Sequence, residues 1–357
     1  MPHDERQGFP SASESQRLAD CPPSFVRSKG QPDKTSKDAQ TGNNVHESLE
    51  TGDKSGLTRA EEQMVDDANQ LALEVFDQTG FERDKCKVLL EQRFWYEQNG
   101  SVMFSGKPDL VAISDKRALI IDYKTGYLKT LEASRNMQLR TLAVLVQKNI
   151  PEIDEIDVAI VQPNLKPGYT VAHYAPGDLI LAKAQVVQLF DAAIKGEGLA
   201  NPGETQCRYC KAKAVCDEAH HESFDVVKND PKNLDVARLP ELLEKCDLAD
   251  RIIKAIRDAA LDIANDGGIV PGWELPKAGK SRSFKSTAAV FHAVADVIDR
   301  DAFANACNIS ITALESAWLD ATDKNESKAS RLASLKERLE PITIYKDKSV
   351  RKLRKSK

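Results

Sequence analysis

The chain has 357 residues, 41% of them hydrophobic and 29% charged, which is too apolar for a wholly disordered chain and long enough for two or three cored domains. Its 50 Lys and Arg against 55 Asp and Glu give a formal net charge of −5; the last twelve residues, KDKSVRKLRKSK, carry +6, so the body sums to −11. An acidic body excludes a protein that coats nucleic acid with its whole surface, because unspecific phosphate binding needs clustered cations.

No apolar run reaches the roughly 18 residues of a membrane span, and the opening MPHDERQGFPS has no apolar centre of a signal peptide, so a cytoplasmic location is expected. Seven cysteines, an odd number in a reducing compartment, argue against a disulfide framework and leave buried thiols or metal ligands.

Residues 1–56 are polar, and the stretch from Arg27 to Asn44 has little to bury and reads as a loop between short helical pieces. A helix follows from about Arg59 to Asp77. Short apolar or alternating runs then come at Val88–Tyr96, Val102–Phe104, Leu110–Ile113 and Leu119–Ile121, divided by polar turns, and read as three successive antiparallel strands. A helix is expected over 130–148, a strand over Ile156–Gln162 and another over Tyr169–Tyr174. The helix over 178–195 should bury a stripe of Ile180, Leu181, Ala184, Val187 and Phe190 or Ile194. Helical patterns resume from Leu239 to Asp266. The order of elements predicts an α/β core with a smaller C-terminal α+β unit.

Gly106-Lys107-Pro108-Asp109-Leu110 and Ile121-Asp122-Tyr123-Lys124-Thr125-Gly126 carry the most chemistry. Residues two apart on a strand share a face, so Asp122 and Lys124 project together, and Asp109 can reach the same edge. Two carboxylates converging there suit Mg²⁺ or Mn²⁺, which polarise phosphate and activate water. The Lys124 ammonium can orient that water or stabilise charge on phosphoryl oxygens. The plain alternative is a strand-end ion pair beside a Pro-Asp turn. Glu91 can add an outer contact or simply pair with Arg93 or Lys87.

Cys207-x2-Cys210-x5-Cys216 is a metal-ligand spacing, and its fourth ligand is either nearby, His220 or His221, or far upstream at Cys21. Cys86, Cys246 and Cys307 read as ordinary thiols.

Pro108-Asp109 with Asp122-Tyr123-Lys124 resembles the PD-(D/E)xK nuclease superfamily, and within it the RecB-like branch, which often reads Asp-Tyr-Lys-Thr-Gly. The resemblance implies a restriction-endonuclease-like core, a central mixed sheet flanked by helices. It also implies that His46, at the start of a helix, is a third metal ligand beside Asp109 and Asp122, with the Tyr123 carbonyl as a further one. Gln138 fits the first position of the branch's Gln-x-x-x-Tyr, but the fifth is Leu142, so Gln138 keeps a DNA-positioning role without a tyrosine partner. Leu18, Cys21 and Pro22 with the later trio resemble iron-sulfur RecB-like nucleases, including the AddB-type helicase-nuclease subunits and the CRISPR-adaptation nucleases. They imply a [4Fe-4S] cluster on Cys21, Cys207, Cys210 and Cys216 that staples the core, in preference to Zn²⁺.

Over residues 11–285 the chain resembles a family of RecB-like nucleases of bacteriophages and prophages. The expected organisation is a 1–56 segment with the first cysteine and the histidine, a 57–225 nuclease core with the cysteine trio, a 226–345 accessory region and a 346–357 basic tail. Gly272–Leu275, a basic turn and a strand to Phe284 could bring Lys280 and Arg282 to DNA phosphate, against the plainer reading of a solvated hairpin, and the tail is either a DNA-contacting arm or a solubilising end. The implied function is a Mg²⁺- or Mn²⁺-dependent exonuclease in phage recombination or DNA processing, in the host cytoplasm, with DNA and a phage annealing protein or helicase as partners. The alternatives are an idle DNA-binding scaffold of the same fold and a zinc-stabilised binding module.

Overall fold

The computed structural model describes residues 6–31, 37–227, 235–274, 286–295, 297, 299–307, 310–322 and 326–340. Among the described residues seven strands form: β1 Lys87–Leu90, β2 Phe94–Gln98, β3 Ser101–Gly106, β4 Leu110–Ser114, β5 Arg117–Tyr123, β6 Glu155–Val161 and β7 Tyr169–Tyr174. Five join in one sheet in the order β1-β4-β5-β6-β7; only the β5–β6 pair is parallel, so the sheet is mixed. The remaining two, β2 and β3, make an antiparallel ribbon of their own.

The helices are α1 Ser15–Asp20, α2 Ser24–Ser28, α3 Lys37–Thr51, α4 Arg59–Thr79, α5 Met137–Asn149, α6 Pro176–Lys195, α7 Glu204–Arg208, α8 Asp217–Val227 and α9 Leu239–Asn265, then α10 Thr287–Val294, α11 Arg300–Ala306, α12 Ile311–Ala321 and α13 Lys328–Leu339. Alternation along β5 assigns the sheet's two faces. Ala118 and Ile120 join Leu139, Leu142, Val146, Leu179, Val186 and Phe190 of α5 and α6. Leu119, Ile121 and Tyr123 join Ala68, Ala72, Val75 and Phe76 of α4. Helix α4 opens with a Thr58–Glu61 capping box and closes at Gly80, whose φ of 72° needs a residue without a Cβ penalty.

The expected α/β core is present, and several elements differ in detail. The run Val88–Tyr96 divides into two strands because Glu91 takes a left-handed φ of 48°, which turns the chain out of the main sheet. The polar stretch before His46 is helical from Lys37, so His46 lies within α3 rather than at its start. Here packing overrides weak local propensity, since Val45 and Leu49 close a small cluster with Met64 and Val65. Helix α5 begins only at Met137, where the Asn136 side chain accepts from the Leu139 amide. The buried stripe of α6 is Leu179, Ala182, Val186, Phe190 and Ala193; of the expected set Phe190 belongs to it, Val187 and Ile194 pack partly against it, and Ile180, Leu181 and Ala184 are exposed.

The chain divides into two compact units, Met1–Leu275 and Pro276–Lys357. In the second, α10 to α13 make the described residues helical. Gly272 sits in a turn rather than a strand; Leu275–Lys285, with Lys280 and Arg282, and the tail 346–357 lie outside the described residues. Among the described residues no helix is long and apolar enough to cross a membrane.

Candidate active site

Antiparallel register between β4 and β5 sets Leu110 against Ile121, so Asp109, one residue before β4, faces Asp122 near the end of β5. Asp109 Oδ2 accepts the Tyr123 amide at 2.6 Å, and its Oδ1 lies 3.3 Å from His46 Nδ1. Glu91 arrives from the turn after β1: its Oε1 is 3.9 Å from His46 Nδ1 and its Oε2 is 2.6 Å from Lys107 Nζ. His46, Glu91 and Asp109 each offer a ligand atom within 4.8 Å of the others. Helix α3 passes close to the strand end, since a Cβ on Gly42 would stand 3.3 Å from Thr125 Oγ1.

Asp122 and Lys124 project together as the two-residue period predicts. Gln138, on the first turn of α5, ties them: its Nε2 donates to Asp122 Oδ1 at 2.6 Å, and its Oε1 accepts from Lys124 Nζ at 3.0 Å. Asp122 Oδ2, in a side chain only 2% exposed, is ion-paired with Lys124 Nζ at 2.7 Å. Burying a carboxylate is costly unless a cation completes it, and the Lys124 ammonium does so here. The fifth position of the glutamine pattern, Leu142, is fully buried in the core and does not enter this group.

The electrostatics follow from crowding. Burial pushes the His46 imidazole down, but hydrogen bonds to Asp109 and Glu91 outweigh it and carry the group up to about 10. Burial lifts the Asp122 carboxyl to about 6 despite the adjacent Lys124 charge, with Asp109 pushing the same way. Lys124 is drawn above its ordinary value: burial opposes this, and the Asp122 and Asp109 charges prevail. The Glu91 carboxyl falls below its ordinary value, because His46 and Lys107 outweigh the burial that would raise it. The nitrogen and carboxylate donors of His46, Glu91 and Asp109 suit a hard divalent ion.

A second centre forms where residues far apart in sequence meet. Cys21, Cys207, Cys210 and Cys216 line one cavity with Arg27, Pro202 and Lys213. Each sulfur has a polar hydrogen nearby: the Asn201 amide lies 3.5 Å from Cys21, the Gly203 amide 3.4 Å from Cys207, the Ser28 hydroxyl 3.8 Å from Cys210 and Arg27 Nη1 3.3 Å from Cys216. Burial pushes the Cys207 thiol up to about 11. Of the alternative ligands, His220 Nε2 is engaged with the Ala214 carbonyl at 3.0 Å, and His221 is exposed. Arg27 also pairs with Glu218, clamping α2 to α8.

Sequence reasoning left Glu91 as an outer contact and missed Arg27 and Ser28. Only an expectation that Glu91 occupies a turn would have brought it inward, whereas the sulfur donors leave no sequence signal.

Fold and site together define an α/β protein with a mixed central sheet whose strand ends gather a histidine, carboxylates and a lysine. A family model described as "Protein of unknown function (DUF2800)" matches residues 48–335, and the chain belongs to that family. No curated protein matches it. Among solved structures it is similar to a candidate exonuclease from Eubacterium rectale, at 14% identity and TM-score 0.38, covering 65% of this chain and 92% of the other. It is also similar to an alkaline exonuclease from Laribacter hongkongensis, at 13% and 0.29, covering 53% and 88%. A phage related exonuclease from Haemophilus somnus gives 13% and 0.26, covering 52% and 95%. Likeness at this level says nothing about activity.

Proposed function

We propose that the chain is a Mg²⁺- or Mn²⁺-dependent DNA nuclease of the RecB-like iron-sulfur kind, hydrolysing phosphodiester bonds as an exonuclease in phage recombination or DNA processing. The observation that carries the chemistry is the convergence of His46, Glu91 and Asp109, each with a ligand atom within 4.8 Å of the others, next to the buried Asp122–Lys124 pair. His46, Asp109, Asp122 and the Tyr123 carbonyl would hold the ion, with Glu91 drawn in from the turn after β1. The bound ion supplies Lewis acidity toward a phosphate oxygen and a more acidic water.

This chain's own residues do the rest. Lys124, held above its ordinary pKa, stays an ammonium, so it orients water and offsets charge on the phosphoryl oxygens instead of removing a proton. Gln138 fixes the positions of Asp122 and Lys124 by bridging them. Hydrolysis adds water across one P–O bond; the leaving oxygen ends protonated. The exonuclease and phage assignments rest on the motif resemblance, as does a [4Fe-4S] cluster on Cys21, Cys207, Cys210 and Cys216. Support for the cluster comes from the shared cavity and the N–H groups of Asn201, Gly203 and Arg27 directed at three of its sulfurs. The 57–225 region is then the nuclease core, with 1–56 delivering His46 and the first thiol.

The test is degradation of linear DNA with Mn²⁺ by the intact chain and by Asp122→Ala and Lys124→Ala. Each variant should lose at least about a hundredfold in rate, the size of losing a charge-stabilising group, while keeping its circular dichroism. An unchanged rate in both would sink the assignment.

A further inference from the structure

The cavity that gathers the four cysteines is charged with one sign only. Of the side chains lining it, the charged ones are Arg27 and Lys213, both cations. Arg27 and Ser28 end α2, which begins directly after Cys21-Pro22-Pro23, and these two neighbours reach two different sulfurs of the later trio. Arg27 Nη1 donates to Cys216 Sγ at 3.3 Å, and the Ser28 hydroxyl lies 3.8 Å from Cys210 Sγ. Cys216 is the half-buried member of the set, the other three being buried, so its sulfur is the one most open to outside charge.

Glu218 fixes the guanidinium in place. Arg27 Nη2 donates to its Oε1 at 2.6 Å, and Nη1, the same nitrogen that meets the sulfur, pairs with its Oε2. Such a planar two-point grip is particular to arginine. Glu218 Oε2 itself lies 3.5 Å from Cys216 Sγ. A thiolate bound to metal has no hydrogen to give that carboxylate, so the two would repel, and the Arg27 charge touching both offsets it. As a clamp between α2 and α8 the pair is weak, because its side chains are 36% and 42% exposed. Its effect on the sulfur is of another kind: a positive N–H donor on a ligand thiolate favours the more negative state of an iron-sulfur centre and so raises its reduction potential.

We propose that Arg27, held by Glu218 and acting through Cys216, sets the reduction potential of the cysteine centre, so that the centre exchanges an electron as well as stapling the chain. This rests on the iron-sulfur reading. One electron passes from a one-electron reductant to the iron; no bond to the protein forms or breaks, no proton moves, and the centre gains one negative charge. The coupling is reciprocal: the free energy by which Arg27 favours the reduced centre is the same free energy by which reduction tightens Arg27 on Cys216. Reduction therefore draws the end of α2 toward the start of α8.

The experiment is a potentiometric titration of the full chain, purified anaerobically with its iron, with dithionite as the reductant and the visible absorption and electron paramagnetic resonance of the cluster as readouts. At a potential that half-reduces the wild type, Arg27→Gln should lower the ratio of reduced to oxidised cluster about tenfold, which for one electron is a fall of about 59 mV. Arg27→Lys keeps the charge and should recover most of that loss. Glu218→Gln removes the opposing charge while its amide oxygen still accepts from Arg27, so it should raise the ratio. A merely structural clamp would be loosened by both changes, and the two variants would then shift the same way or not at all. An iron-loaded protein with an unmoved potential in Arg27→Gln, or with the same sign in Arg27→Gln and Glu218→Gln, overturns the role of Arg27 and leaves the cluster standing. If Arg27→Gln fails to keep its iron, the rise or fall in Glu218→Gln decides. A colourless zinc protein overturns the cluster and this role together.

Discussion

A cluster on Cys21, Cys207, Cys210 and Cys216 would close a loop of roughly 190 residues around the whole sheet, and a cross-link over that length removes about 5 kcal/mol of chain entropy from the unfolded state. Cys21→Ser opens the long loop and leaves the short ones within the trio. The holoprotein should therefore lose about 5 kcal/mol, which for a unit of this size is roughly 10–20 °C in Tm. Cys86→Ser is the control: this half-buried thiol donates only to the Glu82 carbonyl at 3.2 Å, and its loss should cost under about 1 kcal/mol. The assay is iron content and urea unfolding of anaerobically purified protein, followed by circular dichroism and by the visible absorption of the cluster. Wild type should hold about four irons per chain and Cys21→Ser distinctly fewer. A colourless zinc protein, or a Cys21→Ser variant with full iron and an unshifted midpoint, would refute the reasoning.

Two further outcomes follow from packing and charge. Phe104 is fully buried with its ring stacked on Tyr96 and Phe190, at centroid distances of 4.7 and 4.2 Å, so Phe104→Ala should cost about 3–5 kcal/mol in urea unfolding; less than about 1 kcal/mol would mean the stack is not part of the core. Hydrogen bonding to Arg27 pulls the Glu218 carboxyl from 4.5 to about 2. Its contribution is therefore complete above pH 4.5 and disappears as pH falls through 2. Both partners are more than a third exposed, so that contribution is at most about 1 kcal/mol. The difference in unfolding midpoint between wild type and Glu218→Gln should shrink between pH 4.5 and 2, and a gap that widens there would reverse the sign assigned to the pair.

Where a residue's place follows from strand period, the sequence was enough. Asp122 and Lys124 share a face because they are two apart at the end of a buried strand, and Asp109 meets them because β4 and β5 are antiparallel neighbours. Glu91 was harder, since an unbroken strand from Val88 to Tyr96 would have pointed it by alternation, whereas a left-handed residue redirects the chain just there. The first half of the α6 stripe, Ile180 and Leu181, was misplaced because apolar residues nearly encircle that part of the helix, leaving periodicity little contrast to read. The loop before His46 folds as a helix for a tertiary reason, its contact with α4, which no local window contains. The pairing of Cys21 with the trio came from a motif resemblance, and the geometry that supports it, Arg27 and Ser28 beside the sulfurs, is long-range and silent in composition.

The residues around Lys124 come from α3, the turn after β1, the approach to β4, the end of β5 and the first turn of α5. No contiguous stretch of chain contains them without also spanning positions 46 to 138, and β5 has its parallel neighbour only once residues 155–161 exist. A ribosome making this protein therefore releases His46, Glu91 and Asp109 before the sheet that brings them together can close. On the nuclease reading, the ability to cut would arrive late in synthesis, once β6 has paired with β5.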